Sequence, residues 1–526
     1  MSLPSQSPIA WQDGSQWVFP STQLPSYLFV VGVVAIITTF YTWTSSDKSI
    51  NALPYINPSG FFTSIGAKRN FWASSLSLVD EARKKFPNQP WRVLTDYGDR
   101  IVLPPHLIKD IRNEKNMHFL KGFNLACFEP ILLISRDDMM VTSIIKKYLV
   151  KPSVEMTKAL SDESEFILSK FIGESPDWRE MELAPLMSEL VPRLASRAFL
   201  GEELCRNEEW LDVTRKWQHS WLFGTTILNL FPRPIRKLVH WVIPECIVLR
   251  SAMKDARRII APTLAKRREM KEAAIAAGRE APKFDDAFEW LEEEAAARGL
   301  VFDEALATDF QVIMGFVAFH TTTDVLKQFM IDLAYHEEYM QPVREEVIDL
   351  LRTEGMSRTS FYKMQLLDSA IKETQRLKPI EHIMLRRLVL DDVRLSNGLL
   401  LKKGTRTLVD SRAMRNPAVY ENPDEWDATR FVKLRSQPGG AASAQLVSPT
   451  VNHFAFGYGK HACAGRFFAA NSLKVILCHL LVKYEWKLVP GTDPTPIGMG
   501  VNFISNPTVK ILIRRRQDVE VDLTSI

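Results

Sequence analysis

One cysteine in this 526-residue chain stands inside a turn suited to hold a metal. Cys463 lies in the run FAFGYGKHACAGRFFAA, with Phe456 and Gly459 before it, His461 two residues away and Gly465 just beyond. A thiolate bound to a haem iron needs a rigidly held sulfur, with backbone N–H groups aimed at it to limit its charge. Gly457 and Gly459 allow the positive φ angles such a turn requires. Gly465 lets the following helix approach a flat ring, Phe456 shields the sulfur, and His461 can reach an acidic group on the ring edge. A small buried hydrophobe is the ordinary role of a lone cysteine beside a helix, but that role leaves the glycine and histidine spacing without a purpose.

These residues resemble the ligand loop of the cytochrome P-450 superfamily, haem-thiolate monooxygenases whose loop reads Phe-x-x-Gly-x-Arg-x-Cys-x-Gly. His461 replaces the usual arginine and Ala464 the common proline, so the resemblance implies a shorter, neutral contact to a haem propionate. Fungal members often read Gly-Lys-His-Ala-Cys. Glu373 and Arg376, at i and i+3 of SAIKETQRL, share one helical face. By themselves they are an ordinary surface pair. The family joins this pair to an arginine after its meander region, here Arg430, in a buried structural cluster.

The distal element is predicted from FDEALATDFQVIMGFVAFHTTTDVLKQFMIDLAYHEEYM, a proline-free run that starts at the helix cap Asp303. Against the family's Ala/Gly-Gly-x-Asp/Glu-Thr-Thr it reads Val317 to Thr322. Ala318 is small where a ring lies against the helix, and Thr321 can turn its hydroxyl to a preceding carbonyl, opening a groove for water and oxygen. His320 stands where the acid usually is, so a proton relay runs through imidazole or through water. An ordinary core helix is the plain alternative. The resemblance also sets Lys146 at a propionate arginine, with Thr142 at the usual tryptophan; Lys146 serves there or is a solvated charge. Arg386 falls at a further propionate position, with Arg387 beside it as a competitor.

These parts imply a mainly α fold with small β-sheets, the cytochrome P-450 fold, with an N-terminal transmembrane helix. The predicted organisation is a short lumenal segment (1–24), an anchor (25–44), a linker (45–60) with a proline-containing hinge at Asn51 to Pro58, and one catalytic domain (61–526). Pro25–Thr44 is uncharged and long enough to span a bilayer. The basic residues after it place the domain in the cytosol, on the endoplasmic reticulum membrane. Ser220–Pro244 joins apolar rings to Arg233, Arg236 and Lys237, which suits either a membrane interface or packing over the active site. Arg435–Thr450 is a small-residue insertion. The five cysteines have no paired metal spacing and are expected to stay reduced. A net charge of +4 without a basic tract gives no case for nucleic acid.

The resemblance implies haem b with Cys463 as proximal ligand, and insertion of one oxygen atom from O2 into an apolar substrate. Electrons come from an NADPH-cytochrome P-450 reductase, docking near Lys146, Lys147, Lys460 and Lys474. Phe119–Phe128, Val312–Thr321, Ile380–Leu385 and Gly498–Ile504 are the expected substrate lining. The Phe-His-Thr-Thr and Gly-Lys-His-Ala-Cys strings resemble fungal enzymes that oxidise terpenoids in secondary metabolism. An oxygen-independent haem-thiolate isomerase or dehydratase, and a non-catalytic haem protein, are the competing readings.

Overall fold

The computed structural model describes residues 52–59, 64–119, 121, 138–150, 153–229, 231, 233–518, 521 and 523. The expected anchor, the segment before it, Cys127 and most of Phe119–Phe128 lie outside the described residues. Among those described, no helix is long and apolar enough to cross a membrane.

The helices that matter for the site are α1 (Ser64–Lys85), α2 (Val154–Phe171), α3 (Leu183–Leu204), α4 (Glu208–Leu228), α5 (Pro244–Ala276), α6 (Glu304–Tyr335), α7 (Met340–Glu354), α8 (Gln365–Leu377) and α9 (Arg466–Lys483). Asp303 caps α6, its side chain accepting from the Leu306 amide at 2.8 Å. Beyond the cap the helix is apolar on nearly every side, the pattern of a helix that runs through a core rather than over it. Leu190 of α3, Trp217 of α4, Phe329 of α6, Ile371 of α8 and Leu477 of α9 belong to one apolar cluster around it. Helix α8 is different in kind. Its sequence looks amphipathic, yet every residue from Leu367 to Leu377 is buried, charged ones included.

Among the described residues, twelve short strands make four sheets. β1 (Trp91–Thr95), β2 (Gly98–Leu103), β3 (Met117–His118), β5 (Ile383–Val389) and β8 (Arg406–Asp410) form a five-stranded sheet in the order β1-β2-β8-β5-β3. β4 (Arg179–Glu182), β12 (Lys510–Arg515) and β9 (Tyr484–Leu488) form a second, in the order β4-β12-β9. β6 (Val393–Arg394) pairs with β7 (Leu400–Leu401), and β10 (Ile497–Met499) with β11 (Asn502–Ile504). The expected hinge is tied down where it is described: Arg92 donates its amide to the Pro54 carbonyl at 2.7 Å, and Leu94 to the Asn57 side chain at 2.9 Å.

The β5–β8 pairing carries an irregularity with consequences. Met384 opposes Val409 while Arg387 opposes Thr407, so β5 has one extra residue between them. Leu385, inside this bulge, takes φ +53°, rare for a bulky side chain. Because Val409 and Thr407 share a face, the bulge sets Arg387 on the face of Met384.

Candidate active site

The turn before α9 closes as its glycines require. Gly457 and Gly459 have φ of +71° and +73°, and a Cβ on Gly459 would fall 2.2 Å from the Arg112 carbonyl oxygen, so no other residue fits there without rebuilding the turn. The Cys463 amide donates to the Phe456 carbonyl at 2.7 Å, tying the cysteine to the residue expected to shield it. Phe456 itself packs against the main apolar cluster. Gly465 leaves an open face, its nearest neighbour being Ile145, 3.9 Å from where a Cβ would stand. Ile145 begins a π-helical turn, Ile145–Leu149, that carries Lys146. Lys146 is thus on an element beside the cysteine loop, with an exposed side chain.

Cys463 is accessible, yet enclosed by protein, so its thiol faces a recess. Burial pushes the thiol's pKa up, against the Gly465 amide, the Arg466 charge and the Arg466 amide. A thiol so placed ionises when a metal cation supplies the compensating charge.

At the edge of this recess stand His461 and Arg387. His461 donates through Nε2 to the Met117 carbonyl at 3.2 Å and meets the His118 ring edge to face, 5.0 Å between centroids. Burial, then the charge of Arg387, hold its pKa down to about 4, so the imidazole is neutral. Arg387 is only 3% exposed; Nη1 donates to the Arg386 carbonyl, while buried Nε and Nη2 have no partner among the described residues. Burial alone pushes its pKa down to about 10. An isolated buried guanidinium is costly unless an anion joins it, and a haem carboxylate is such an anion. Arg386, the position the resemblance favoured, is bound to Glu381 at 2.5 Å and lies over the Tyr97 ring. The bulge at Leu385 separates the two roles, and sequence alternation alone could not reveal it.

Midway along α6 the packing opens. Val317 is 44% exposed, and His320 and Thr321 are exposed too, on a helix otherwise surrounded by core. The Thr321 hydroxyl donates to the Val317 carbonyl at 3.1 Å, the local bond expected of it. Ala318 is partly buried against the core. Phe316 meets His320 edge to face at 5.7 Å, and packs on Trp221 of α4 at 4.2 Å. An apolar, aromatic wall therefore adjoins a hydroxyl and an imidazole.

Beneath the loop, Glu373 accepts from Arg376 Nε at 2.7 Å and Nη2 at 2.8 Å, and from Arg430 Nε at 2.8 Å. The Glu373 and Arg376 side chains are wholly buried. The spare guanidinium protons reach carbonyls of the segment between them: Arg376 bonds Met414 and Pro423, and Arg430 bonds Glu421 and Asn422. The plain surface reading of this pair is excluded by its burial. The adjacent Lys372 carries no signal in the sequence. Its ammonium donates to the carbonyls of Ser443, Gln445 and Ser448 at 3.2, 2.6 and 2.9 Å, clasping the Arg435–Thr450 insertion. Of the lysines expected at a reductase surface, Lys147 is exposed but paired with Glu293, and Lys460 reaches the Glu114 carbonyl. Lys474 is a correction: it is buried, bonded to Asp368 and the Phe361 carbonyl, and so cannot meet a partner.

Comparison with known proteins agrees with this geometry. Residues 140–514 match the family model Cytochrome P450. Cytochrome P450 monooxygenase hepE of Aspergillus oryzae is 37% identical, covering 96% of this chain and 93% of its own length. A cytochrome P450 monooxygenase of Gibberella fujikuroi is 40% identical over 96% of this chain and 98% of its own. Among solved structures, retinoic acid-bound cyanobacterial CYP120A1 superimposes with a TM-score of 0.65 at 15% identity, over 88% of this chain and 99% of that one. With a family model over most of its length, these relatives and a shared fold, the chain belongs to the cytochrome P-450 family and is a haem-thiolate monooxygenase.

Proposed function

We propose that this protein inserts one oxygen atom from O2 into a C–H bond of an apolar terpenoid of fungal secondary metabolism, using electrons from NADPH delivered by a separate flavoprotein reductase. The observation that carries the site assignment is Cys463: an enclosed thiol, tied to Phe456, with the Gly465 and Arg466 amides bearing on the sulfur. Haem with a cysteine thiolate is the family's cofactor and supplies the oxygen chemistry when bound.

The chain's own residues then divide the work. Cys463 holds the proximal position and Phe456 keeps water from it. Gly465 and Ala318 would leave room for the ring, and Arg387 would neutralise a carboxylate at its edge beside the neutral His461, with Lys146 next to the loop and Arg386 held by Glu381. Thr321 positions water on the distal side and His320 holds a proton there. Glu373, Arg376 and Arg430 lock the loop's foundation. Phe316 and Trp221, with Val317 nearest the open space, favour a greasy polycyclic substrate.

We place the protein on the endoplasmic reticulum membrane, anchored by 25–44 with the catalytic domain in the cytosol. The face following α4 supports a second contact: Leu238, Trp241 and Val242 are 72, 61 and 72% exposed, beside exposed Lys237. The test of function is incubation of membranes carrying this chain and a reductase with NADPH, a panel of terpenoids and isotopically labelled dioxygen. One labelled oxygen atom in a product is expected. Product formed without NADPH or O2 would favour the isomerase or dehydratase, and no turnover of any kind the non-catalytic haem protein.

A further inference from the structure

Thr321 and His320 reach the distal space, but neither can supply protons repeatedly unless something recharges it. The ionisable residues that continue the same face of α6 are Asp324 and Lys327, at i+4 and i+7 from His320. A lysine side chain on a helix leans toward the N-terminus, which turns the Lys327 ammonium back toward His320. It stands 3.7 Å from Asp324 Oδ1. That same oxygen accepts from both the amide and the hydroxyl of Ser505, each at 2.9 Å, so the chain segment following β11 fixes the carboxylate. The Lys327 side chain is 16% exposed, partly open to replenishment.

We propose that Lys327 supplies protons to the distal side through His320, with Asp324 and Ser505 holding its ammonium in place. The step is a proton transfer alone: an Nζ proton passes to one ring nitrogen, the N–H proton on the other ring nitrogen passes to the water beside Thr321, and the neutral amine regains a proton from solvent. Rotation of the ring or exchange with water restores the starting tautomer. His320 opens onto the recess, yet the protein walls around it disfavour the charged ring and, with the charge of Lys327, lower its pKa, leaving a neutral ring able to accept. Burial lowers the pKa of Lys327 against the opposing charge of Asp324, making the ammonium a readier donor. Among the described residues Lys327 and Asp324 are the charged groups that bear on this pair; the ring neighbour is the uncharged Phe316.

This inference rests on the monooxygenase reading, so the wild-type holoenzyme is measured first with reductase and NADPH; absence of NADPH-dependent oxygen use there sinks that reading, not the relay. Lys327→Met and Lys327→Arg are then compared, because arginine keeps the positive charge but does not release a proton at neutral pH. The expected result is that both variants retain the thiolate-type reduced carbon monoxide spectrum, both slow oxygen use about tenfold, and both increase the slowing seen in deuterated water. The carbonyl stretching band of that adduct, followed against pH, reads His320 without turnover: its transition should move to higher pH in Lys327→Met and stay in place in Lys327→Arg. Full activity in Lys327→Arg would reduce the lysine to a mere charge and overturn the relay. Unchanged band titration and activity in Lys327→Met would overturn it altogether. If the methionine variant fails to take up haem, the arginine variant alone decides.

Discussion

Arg387 is a buried cation with no carboxylate bound to it among the described residues. A buried guanidinium with two nitrogens unpartnered among the described residues destabilises the protein until an anion arrives, so its loss should be felt as weakened cofactor retention rather than as unfolding. Arg387→Gln is therefore expected to lose haem roughly ten times faster than wild type in transfer to a haem scavenger. Arg386→Gln, which frees Glu381 instead, should change haem loss little. Equal rates for the two variants would return them to the ambiguity the sequence left. At the same scale, Cys463→Ala removes the thiolate donor assigned to the iron. Its reduced carbon monoxide adduct should lose the red-shifted thiolate band, and a persisting band would place the ligand elsewhere.

At the scale of elements, two buried charged devices fasten the backbone around the loop. Glu373 serves two arginines, and breaking such a cluster from one side leaves buried charge uncompensated, costing roughly 3–5 kcal/mol. Glu373→Gln should express mostly as haem-free or aggregated protein; a normal haem yield and melting temperature would contradict the fastening role. Lys372 acts through three carbonyls, and Lys372→Met removes its bond to each; the Gln445 carbonyl keeps the Ser448 amide and exposed Ser443 can turn to water, so the cost is about 1–3 kcal/mol, chiefly at Ser448. Limited proteolysis should then cut within Arg435–Thr450 first. The two devices were unequally legible. Glu373, Arg376 and Arg430 stand at spacings that a family shares, whereas Lys372 sits on α8 and grips the insertion through backbone carbonyls, so no residue pattern announces it. The choice of Arg387 over Arg386 was hidden for another reason: a bulge reverses the alternation on which strand reading depends. The long α6, its Asp303 cap and the Thr321 back-bond were readable because they are local, set by residues within four positions of one another. Lys474 was misjudged because a positive charge in sequence says nothing about the aspartate that meets it across the fold.

The whole molecule should be sensitive to acid, because it buries histidines in neutral form. His382, 5% exposed, donates through Nε2 to the Gly500 carbonyl at 2.9 Å and lies near the Ser75 hydroxyl, joining β5 to α1 and the β10–β11 turn. Burial, opposed by that bond, pushes its pKa down from 6.5 to about 4. A group whose folded pKa lies below its unfolded one takes up protons preferentially when the chain unfolds. Its contribution to stability is thus complete above about pH 6.5 and is withdrawn as pH falls from there toward 4, by roughly 3 kcal/mol. Other histidines push in the same direction, among them His461 with a folded pKa of about 4, fully enclosed His453 held well below 6.5, and His479, lowered by burial. Thermal unfolding of the holoenzyme should therefore show a melting temperature nearly level from pH 8 to 7 and falling steeply below about 6.5. His382→Gln keeps a hydrogen-bonding amide without a titrating ring. That variant starts from a lower melting temperature at pH 7.5, since its amide fits the Gly500 carbonyl less well, but loses less of it between pH 6.5 and 5 than the wild type does. Parallel acid profiles for the two proteins would show that this imidazole already takes its proton in the folded state, and the acid sensitivity would then have to be sought in the other histidines.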